Sequence, residues 1–243
     1  MVAQAPFDPV WFERGTKPRS ASLWRGVEAQ HIIASMRLVD SAGEQQVLEE
    51  LLETSKPPLP AGAEDQHYLL ATPFRYCPPH ESRFRPAGSK GLWYGAEELE
   101  TACAEVAYWK WRFLVDSAAL AAQALHTQHT FFQAQVSGRC VDLTAPPWSK
   151  SAAWWTQDTD YRACQQLAGA AREHSVAWVR YASARKHPAR CGVALAPAAL
   201  SLKPGFAQQT WACKTSREGV YLRHDDGAYS FEASNWARAR NAD

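Results

Sequence analysis

The chain has 243 residues, of which 46% are apolar and 21% charged, and this composition predicts a soluble globular protein with one large domain. Its formal net charge of +1 excludes an overall electrostatic field that would attract nucleic acid or an anionic membrane. The sequence has no apolar run near the ~18 residues of a membrane span and no N-terminal secretory signal, so we expect a cytoplasmic protein.

Residues 1–60 are predicted to form a helical N-terminal extension. Apolar residues recur at helical spacing over Leu23–Leu38, and a capping-box pattern at Ser41–Glu44 precedes the apolar Val47–Leu52. Prolines and a glycine then stop the helix and act as a linker. We therefore predict a domain boundary at this linker, with the main domain over residues 61–243.

The main domain is predicted to mix short strands with a few helices. Helices are expected over Ala96–Val115, which contains Glu105, and over Asp158–His174. Strands are expected where β-branched and aromatic residues lie between turn signals, at His67–Ala71, Gly91–Gly95, Thr130–Val136, Arg139–Leu143, Val176–Ala182, Cys191–Ala196 and Gln209–Lys214.

Two hairpins are predicted, one through the turn residues Ser137 and Gly138 and a C-terminal one over Gly219–His224 and Tyr229–Glu232. Strands with few helices and no regular βαβ repeat predict an α+β fold rather than a doubly wound sheet. No G-x-G-x-x-G or G-x-x-x-x-G-K-[ST] motif is present, which argues against a Rossmann or P-loop nucleotide site.

Three arginines, Arg75, Arg83 and Arg85, lie close together among prolines and a glycine. The planar guanidinium group donates paired hydrogen bonds and stays charged, so it suits a pyrophosphate. The arrangement indicates a loop held over an anionic ligand. Exposed surface arginines are the alternative interpretation.

Tyr94 and Glu105 follow the arginines. Tyr94 has a ring that can stack on a planar heterocycle, and the alternative is a half-buried strand residue. Glu105 lies among apolar helix residues such as Ala102 and Val106, and a carboxylate on a packed face is costly unless it is paired or used. The alternative for Glu105 is an exposed helix position.

The remaining chemistry-bearing residue types give weaker signals. No metal site is predicted, because the cysteines form no CxxC pair and His126 and His129 lack a third ligand nearby. Reduced thiols are expected at all six cysteines, Cys77, Cys103, Cys140, Cys164, Cys191 and Cys213. Of the eleven tryptophans, only Trp93 is expected to contact a ligand.

Several short motifs, taken in order over about residues 65–200, resemble the RES domain family. They are FR at Phe74–Arg75, SRF at Ser82–Phe84, LWYG at Leu92–Gly95, TACAE at Thr101–Glu105, YASA at Tyr181–Ala184 and GVALAP at Gly192–Pro197. The resemblance implies an ADP-ribosyltransferase-like fold, with a mixed and antiparallel β core and flanking helices, and NAD as the substrate. It also implies a toxin paired with an Xre-type helix-turn-helix antitoxin, and a homodimer.

The resemblance assigns site residues by position: Arg75, Arg83 (with Arg85 as a competing alignment), Tyr94, Glu105 and Ser183. The chain departs from the family where many members have a GGRW-type sequence and this one has Glu81–Phe84. This loop therefore lacks the glycines that let a backbone approach a phosphate closely.

These assignments predict cleavage of the nicotinamide–ribose bond of NAD. Glu105 would stabilise the positive charge that develops on the ribose, while Arg83 and Arg75 would neutralise the pyrophosphate. Tyr94 would stack on nicotinamide or position its ribose, and Ser183 would hydrogen-bond the nicotinamide side or a phosphate. The sequence leaves open whether water, phosphate or a protein accepts the sugar. A non-catalytic module that binds a nucleotide or a protein is the alternative.

Overall fold

The computed structural model describes residues 6–29, 33–36 and 38–236. Within these ranges the strands are β1 Thr16–Glu28, β2 Trp93–Ala96, β3 Leu125–Asp142, β4 Trp178–Ala182, β5 Arg190–Ala194, β6 Leu200–Ser201, β7 Gln208–Ser216, β8 Gly219–His224 and β9 Gly227–Glu232. The α-helices are α1 Trp11–Arg14, α2 Ile33–Met36, α3 Ala42–Ser55, α4 Tyr68–Arg75, α5 Leu99–Val115, α6 Ala152–Trp155 and α7 Arg162–Glu173. The mixed, mostly antiparallel sheet with flanking helices confirms the α+β fold.

Five strands pair in a closed ring, in the order β1, β2, β5, β4, β3 and back to β1. The pairing of β3 with β4 is parallel, and the other pairings of the ring are antiparallel. β7, β8 and β9 then extend the sheet from β3. The pairing of β1 with β3 closes the ring. It extends along thirteen residues and so anchors β1 in the sheet.

The inside of this ring is filled by large side chains that glycines accommodate. Leu23, Trp93 and Trp178 are fully buried there. A Cβ atom on Gly192 would lie 2.6 Å from Leu23 Cδ1, and one on Gly95 would lie 2.7 Å from the Trp93 ring. Because Gly95 and Gly192 are paired across β2 and β5, the two missing side chains make room for the same apolar cluster.

The elements with strong local patterns confirm the sequence predictions. α5 and α7 lie within the two predicted helices, and the predicted C-terminal hairpin is formed by β8 and β9. At the start of α3, Ser41 Oγ accepts a hydrogen bond from the Glu44 amide at 3.2 Å, as the capping pattern predicts. No helix in the described ranges is long and apolar enough to cross a membrane.

The prediction of a helix over Leu23–Leu38 is wrong for Leu23–Glu28, which belong to β1, whereas α2 Ile33–Met36 lies within the predicted range. Residues 1–60 are therefore not simply a helical extension. Thr16–Glu28 is a strand whose thirteen residues all pair with β3. Leu23 and Val27 are four residues apart, which fits a helical face as well as a strand. Pairing with a distant strand therefore decided the structure here. Ile32 and Arg37, also within the predicted helix, lie outside the described residues.

Two further predictions are wrong. His67–Ala71 is not a strand but the start of α4, where His67 Nδ1 accepts a hydrogen bond from the Leu69 amide at 3.3 Å. The hairpin predicted at Ser137 and Gly138 is absent, because β3 runs straight through both residues. Gly138 has φ +119°, and a Cβ atom there would lie 2.6 Å from that of Ala177, so this glycine permits a close approach rather than a turn.

Candidate active site

A cavity of about 390 Å³ lies between α5 and the ring of strands. Four residues in register form its floor: Trp24 pairs with Ala96, Ala96 with Cys191, and Cys191 with Tyr181. They come from β1, β2, β5 and β4, and side chains in register on neighbouring strands share one face of a sheet. The floor therefore exists only when all four strands are paired.

Helix α5 forms one wall of the cavity. Its cavity-lining residues recur at helical spacing and are Ala102, Glu105, Val106, Trp109 and Lys110. The neighbouring residues Cys103, Ala104 and Ala107 are fully buried against the sheet. This packing fixes the rotation of the helix and directs the Glu105 side chain toward the cavity.

The carboxylate of Glu105 is held by Ser183. Ser183 Oγ lies 2.7 Å from Glu105 Oε1 and also accepts hydrogen bonds from the amides of Arg185 and Lys186, at 3.1 and 3.2 Å. Because the two amides occupy the acceptor side of the hydroxyl, its single proton is donated to Glu105. Ser183 thus orients the carboxylate, a role that differs from the ligand contact predicted from the sequence.

The other polar groups beside Glu105 remain protonated at neutral pH. Cys191 Sγ lies 3.7 Å from Glu105 Oε1, and burial, together with the charge of Glu105, raises the pKa of this thiol well above its usual value. Burial likewise raises the pKa of Tyr181 well above its usual value. A thiol in this state is a poor nucleophile. This leaves Glu105 as the candidate reactive group of this part of the cavity.

Arg83 reaches the cavity from a tight turn. The backbones of Ser82 and Arg85 exchange hydrogen bonds of 2.8 and 3.0 Å, which leaves Arg83 and Phe84 at the tip. Arg83 Nη1 donates to the Trp155 carbonyl at 2.8 Å, and the guanidinium carbon lies 5.1 Å from the Tyr161 ring centroid. Only 9% of Arg83 is exposed, so its charge is held in a fixed position.

Tyr94 fastens this turn to the sheet. Its hydroxyl lies 2.8 Å from Ser82 Oγ and accepts a hydrogen bond from the Phe84 amide at 3.3 Å, while its ring lines the cavity. Burial raises the pKa of Tyr94, so the hydroxyl is neutral. Tyr94 therefore positions the turn that carries Arg83.

We expect Tyr94→Phe to loosen the turn. The change leaves the buried Phe84 amide without its acceptor, which should lower the free energy of unfolding by about 1–2 kcal/mol. Hydrogen exchange of the Phe84 amide should become about ten times faster, or more. The matched control is Tyr221→Phe, whose ring is 42% exposed on β8. Unchanged exchange at Phe84 would contradict this role.

Two arginines predicted for the ligand do not line the cavity. Arg85 is 5% exposed, and its guanidinium donates to the carbonyls of His80, Pro78 and Pro86, the last two at 3.1 and 2.9 Å. Arg75 donates to the Pro57 carbonyl and pairs with Glu53 at 2.9 Å, between α4 and the end of α3. Both arginines brace the backbone of the protein.

Trp93 is also outside the cavity. It is fully buried inside the ring and lies 6.3 Å from the Phe132 ring. Trp93 and Tyr94 are consecutive on β2, and consecutive strand residues face opposite sides of a sheet. The prediction of a ligand contact for Trp93 is therefore wrong.

Two other arginines line the cavity and were missed from the sequence. Arg25 Nη1 donates to the Tyr94 carbonyl at 2.9 Å, and the Arg185 guanidinium lies 3.4 Å from the Tyr108 ring centroid. In both residues Nε is buried and has no hydrogen-bond partner among the residues described. Burial lowers the pKa of Arg25 to about 10, which still leaves it charged at neutral pH. Of these two arginines, only Arg185 could have been inferred from the sequence, because it lies two residues after the predicted site residue Ser183.

The cavity is electropositive. The residues that line it include Arg25, Arg83 and Arg185, and the Arg25 guanidinium lies 5.6 Å from the Trp93 ring centroid. Its carboxylates are those of Glu105 and Glu28, and Glu28 is paired with Lys110 at 2.9 Å. Arg185 is itself paired with Asp158 at 3.3 Å. Among the described residues, Arg25 and Arg83 therefore remain as cavity arginines without a carboxylate partner, and buried donors without partners favour an anionic ligand with several acceptor oxygens. In the described part of the chain, no group of His, Cys, Asp and Glu residues could hold a metal ion.

His129 lies at the cavity edge and makes the stability of the protein depend on pH. It is 3% exposed, and burial, with a smaller effect of the Lys110 charge, lowers its pKa from 6.5 to about 4. The unfolded chain therefore binds a proton near pH 6.5 that the folded protein does not accept until about pH 4. The contribution of neutral His129 to stability is fully present above pH 6.5 and falls as the pH drops through this window.

Between pH 7 and pH 5, the free energy of unfolding of the wild-type protein should fall by about 2 kcal/mol more than that of His129→Gln. Urea unfolding of both proteins at the two pH values measures this difference. Subtracting the variant cancels the titration of carboxylates common to both proteins. Parallel pH dependences would contradict the assignment.

Comparison with known proteins identifies the family. The sequence model of the RES domain matches residues 59–216, well over half of the chain. The chain belongs to the RES domain family. Its RES match includes Arg83, Tyr94, Glu105 and Ser183 but begins after β1. In this RES protein, Trp24 and Arg25 are thus cavity residues supplied from outside the matched segment.

The other comparisons add no information about function. No curated protein matches the sequence. Among solved structures, a chain of the M. tuberculosis MbcT-MbcA toxin-antitoxin complex is similar at 13% identity, with a TM-score of 0.44, and the alignment covers 98% of this chain and 100% of that chain. A likeness of this size carries no argument about the function of this RES protein.

Proposed function

We propose that this RES protein cleaves the nicotinamide–ribose bond of NAD. The observation that carries the proposal is the carboxylate of Glu105, which Ser183 orients at 2.7 Å within a cavity lined by three arginines. NAD fits such a cavity in two ways. Its pyrophosphate is an anion that arginines can bind, and its ribose becomes cationic during cleavage, which a carboxylate stabilises. Membership of the RES family supports NAD as the substrate.

The bond that breaks joins the nicotinamide nitrogen to the anomeric carbon of the ribose. Its electron pair leaves with the nitrogen, so nicotinamide departs as a neutral molecule and positive charge develops on the sugar. The anionic Glu105 stabilises this oxocarbenium-like transition state, and the hydrogen bond from Ser183 keeps the carboxylate in place. A nucleophile then bonds to the anomeric carbon and, when it is water, releases a proton.

The arginines supply binding and orientation. Arg83 is fixed by the Trp155 carbonyl and the Tyr161 ring. Arg25 and Arg185 each have a buried Nε without a hydrogen-bond partner among the described residues, and Arg185 also pairs with Asp158 at 3.3 Å. Charge-assisted hydrogen bonds from these groups would hold the pyrophosphate and place the ribose against Glu105. Tyr94 acts by holding the turn of Arg83. Arg75 and Arg85 have no part in this proposal, because backbone carbonyls and Glu53 occupy them.

Release of free nicotinamide from NAD by the purified protein tests the proposal, and its absence would contradict it and favour a non-catalytic binding module. Three arms identify the acceptor: buffer alone, added inorganic phosphate, and added cell extract with labelled NAD. They report hydrolysis, phosphorolysis and protein ADP-ribosylation respectively, and any of the three is compatible with the site.

Family membership also supports a toxin that an antitoxin protein restrains. An antitoxin of the Xre helix-turn-helix type and a homodimer both stay predictions. Growth arrest on expression, relieved by co-expression of a neighbouring helix-turn-helix protein, would support the first. Elution as a monomer at micromolar concentration would count against the second.

A further inference from the structure

The mouth of the cavity has an exposed indole. Trp109 lines the cavity and is 49% exposed, although a large aromatic side chain gains most from burial. It lies four residues after Glu105 on α5, which places it on the same helix face, about 6 Å farther along the axis. Trp109 is therefore the aromatic surface one helical turn away from the reactive carboxylate.

The two ends of the cavity differ in chemistry. The buried end holds Glu105, Ser183 and Arg83 and suits a sugar joined to a charged group. The outer end carries Trp109 beside the Lys110–Glu28 ion pair, whose charges cancel. Trp24 of β1 also lines this cavity. An aromatic, nearly neutral mouth suits a planar heterocycle.

The Trp109 ring is also held in place by packing against a buried neighbour. Its ring packs edge-on against Tyr108, with centroids 5.3 Å apart and planes inclined by 75°. Tyr108 is 5% exposed and stacks in turn with Arg185 at 3.4 Å. The exposed indole is thus braced from the protein side, which lowers the entropy lost when a base stacks on it.

We propose that Trp109 is the stacking platform for the adenine base of NAD. The inference rests on the proposed function, in which Glu105 fixes the ribose on the nicotinamide side. The base at the other end of the dinucleotide then leaves the buried part of the cavity and meets the indole at the mouth. Loss of an aromatic stacking partner of this kind weakens base binding by about tenfold or more.

Calorimetric titration with AMP tests the platform directly, without requiring turnover. Trp109→Ala should raise the Kd for AMP about tenfold or more, and Trp109→Phe should restore most of the affinity. The matched control is Phe113→Ala, which removes a 59% exposed ring from the same helix outside the cavity lining and should leave the Kd unchanged. With NAD, Trp109→Ala should raise KM by a similar factor and leave kcat nearly unchanged.

Unchanged AMP affinity in Trp109→Ala, or no AMP binding by the wild-type protein, would overturn the inference. An equal loss in Phe113→Ala would overturn it as well. Wild-type protein that binds AMP through Trp109 but releases no nicotinamide from NAD would instead overturn the proposed function and retain the purine platform.

Discussion

Glu105→Gln is expected to lower the rate of nicotinamide release from NAD by at least about 1,000-fold. Glutamine has nearly the same shape as glutamate and can still accept the hydrogen bond that Ser183 donates at 2.7 Å. The change therefore removes the negative charge that faces the cationic ribose and little else. The free energy of unfolding should stay within about 1 kcal/mol of the wild-type value.

The control for this variant lies at the N-terminal end of the same helix. Glu98 precedes α5, its side chain is 63% exposed, and it is 3.9 Å from Lys186, so Glu98→Gln removes a carboxylate of equal charge at the surface. Its rate should stay within roughly twofold of the wild type, since an exposed ion pair is worth little. If Glu105→Gln releases nicotinamide at the wild-type rate, Glu105 does not carry the reaction.

Arg83→Met is expected to reduce kcat/KM for NAD by about 100-fold, mainly through KM. Methionine keeps much of the volume but loses the charge that would bind the pyrophosphate, and charge-assisted hydrogen bonds contribute about 1.5–3 kcal/mol each. The Trp155 carbonyl, which accepts from Arg83 at 2.8 Å, also loses its charged donor. A stability loss of about 1–2 kcal/mol should accompany the kinetic effect.

Arg75→Met is the control for Arg83→Met, because Arg75 does not line the cavity. Arg75 pairs with Glu53 outside the cavity, so its loss should leave the kinetics unchanged and cost at most about 1 kcal/mol of stability. Steady-state kinetics on both variants, with urea unfolding of each, measures the contrast. Equal kinetic losses in the two variants would contradict the placement of Arg83 at the ligand.

Much of the candidate site was predictable because it is local in sequence. Tyr94 and Glu105 lie on β2 and α5, two elements whose patterns are visible within short windows. Ser183 was predicted only through resemblance to the RES family, and its partnership with Glu105 depends on how α5 packs beside β4 and β5. A sequence window cannot show such a contact between residues 78 positions apart.

The missed residues depend on long-range pairing. Arg25 was hidden in a segment that fits a helical pattern, and only the pairing of β1 with β3 makes it a strand residue beside the cavity. The choice between Arg83 and Arg85 could not be made from composition, because both belong to the same tight turn, Arg83 at its tip and Arg85 at its closing end. The structure distinguishes them, because Arg83 lines the cavity whereas the guanidinium of Arg85 donates to backbone carbonyls away from it.

The pairing of β1 with β3 also has a consequence for synthesis in the cell. Glu28 pairs with His129 and Thr16 with Val141, so β1 lacks its main partner until more than a hundred further residues have been made, and before then β2 offers it only the pairing of Trp24 with Ala96. At ordinary translation speeds this delay is on the order of ten seconds. The cavity floor stays incomplete for longer still, because Tyr181 and Cys191 follow β3 in the chain, so a nascent chain has no competent site before β5 has emerged.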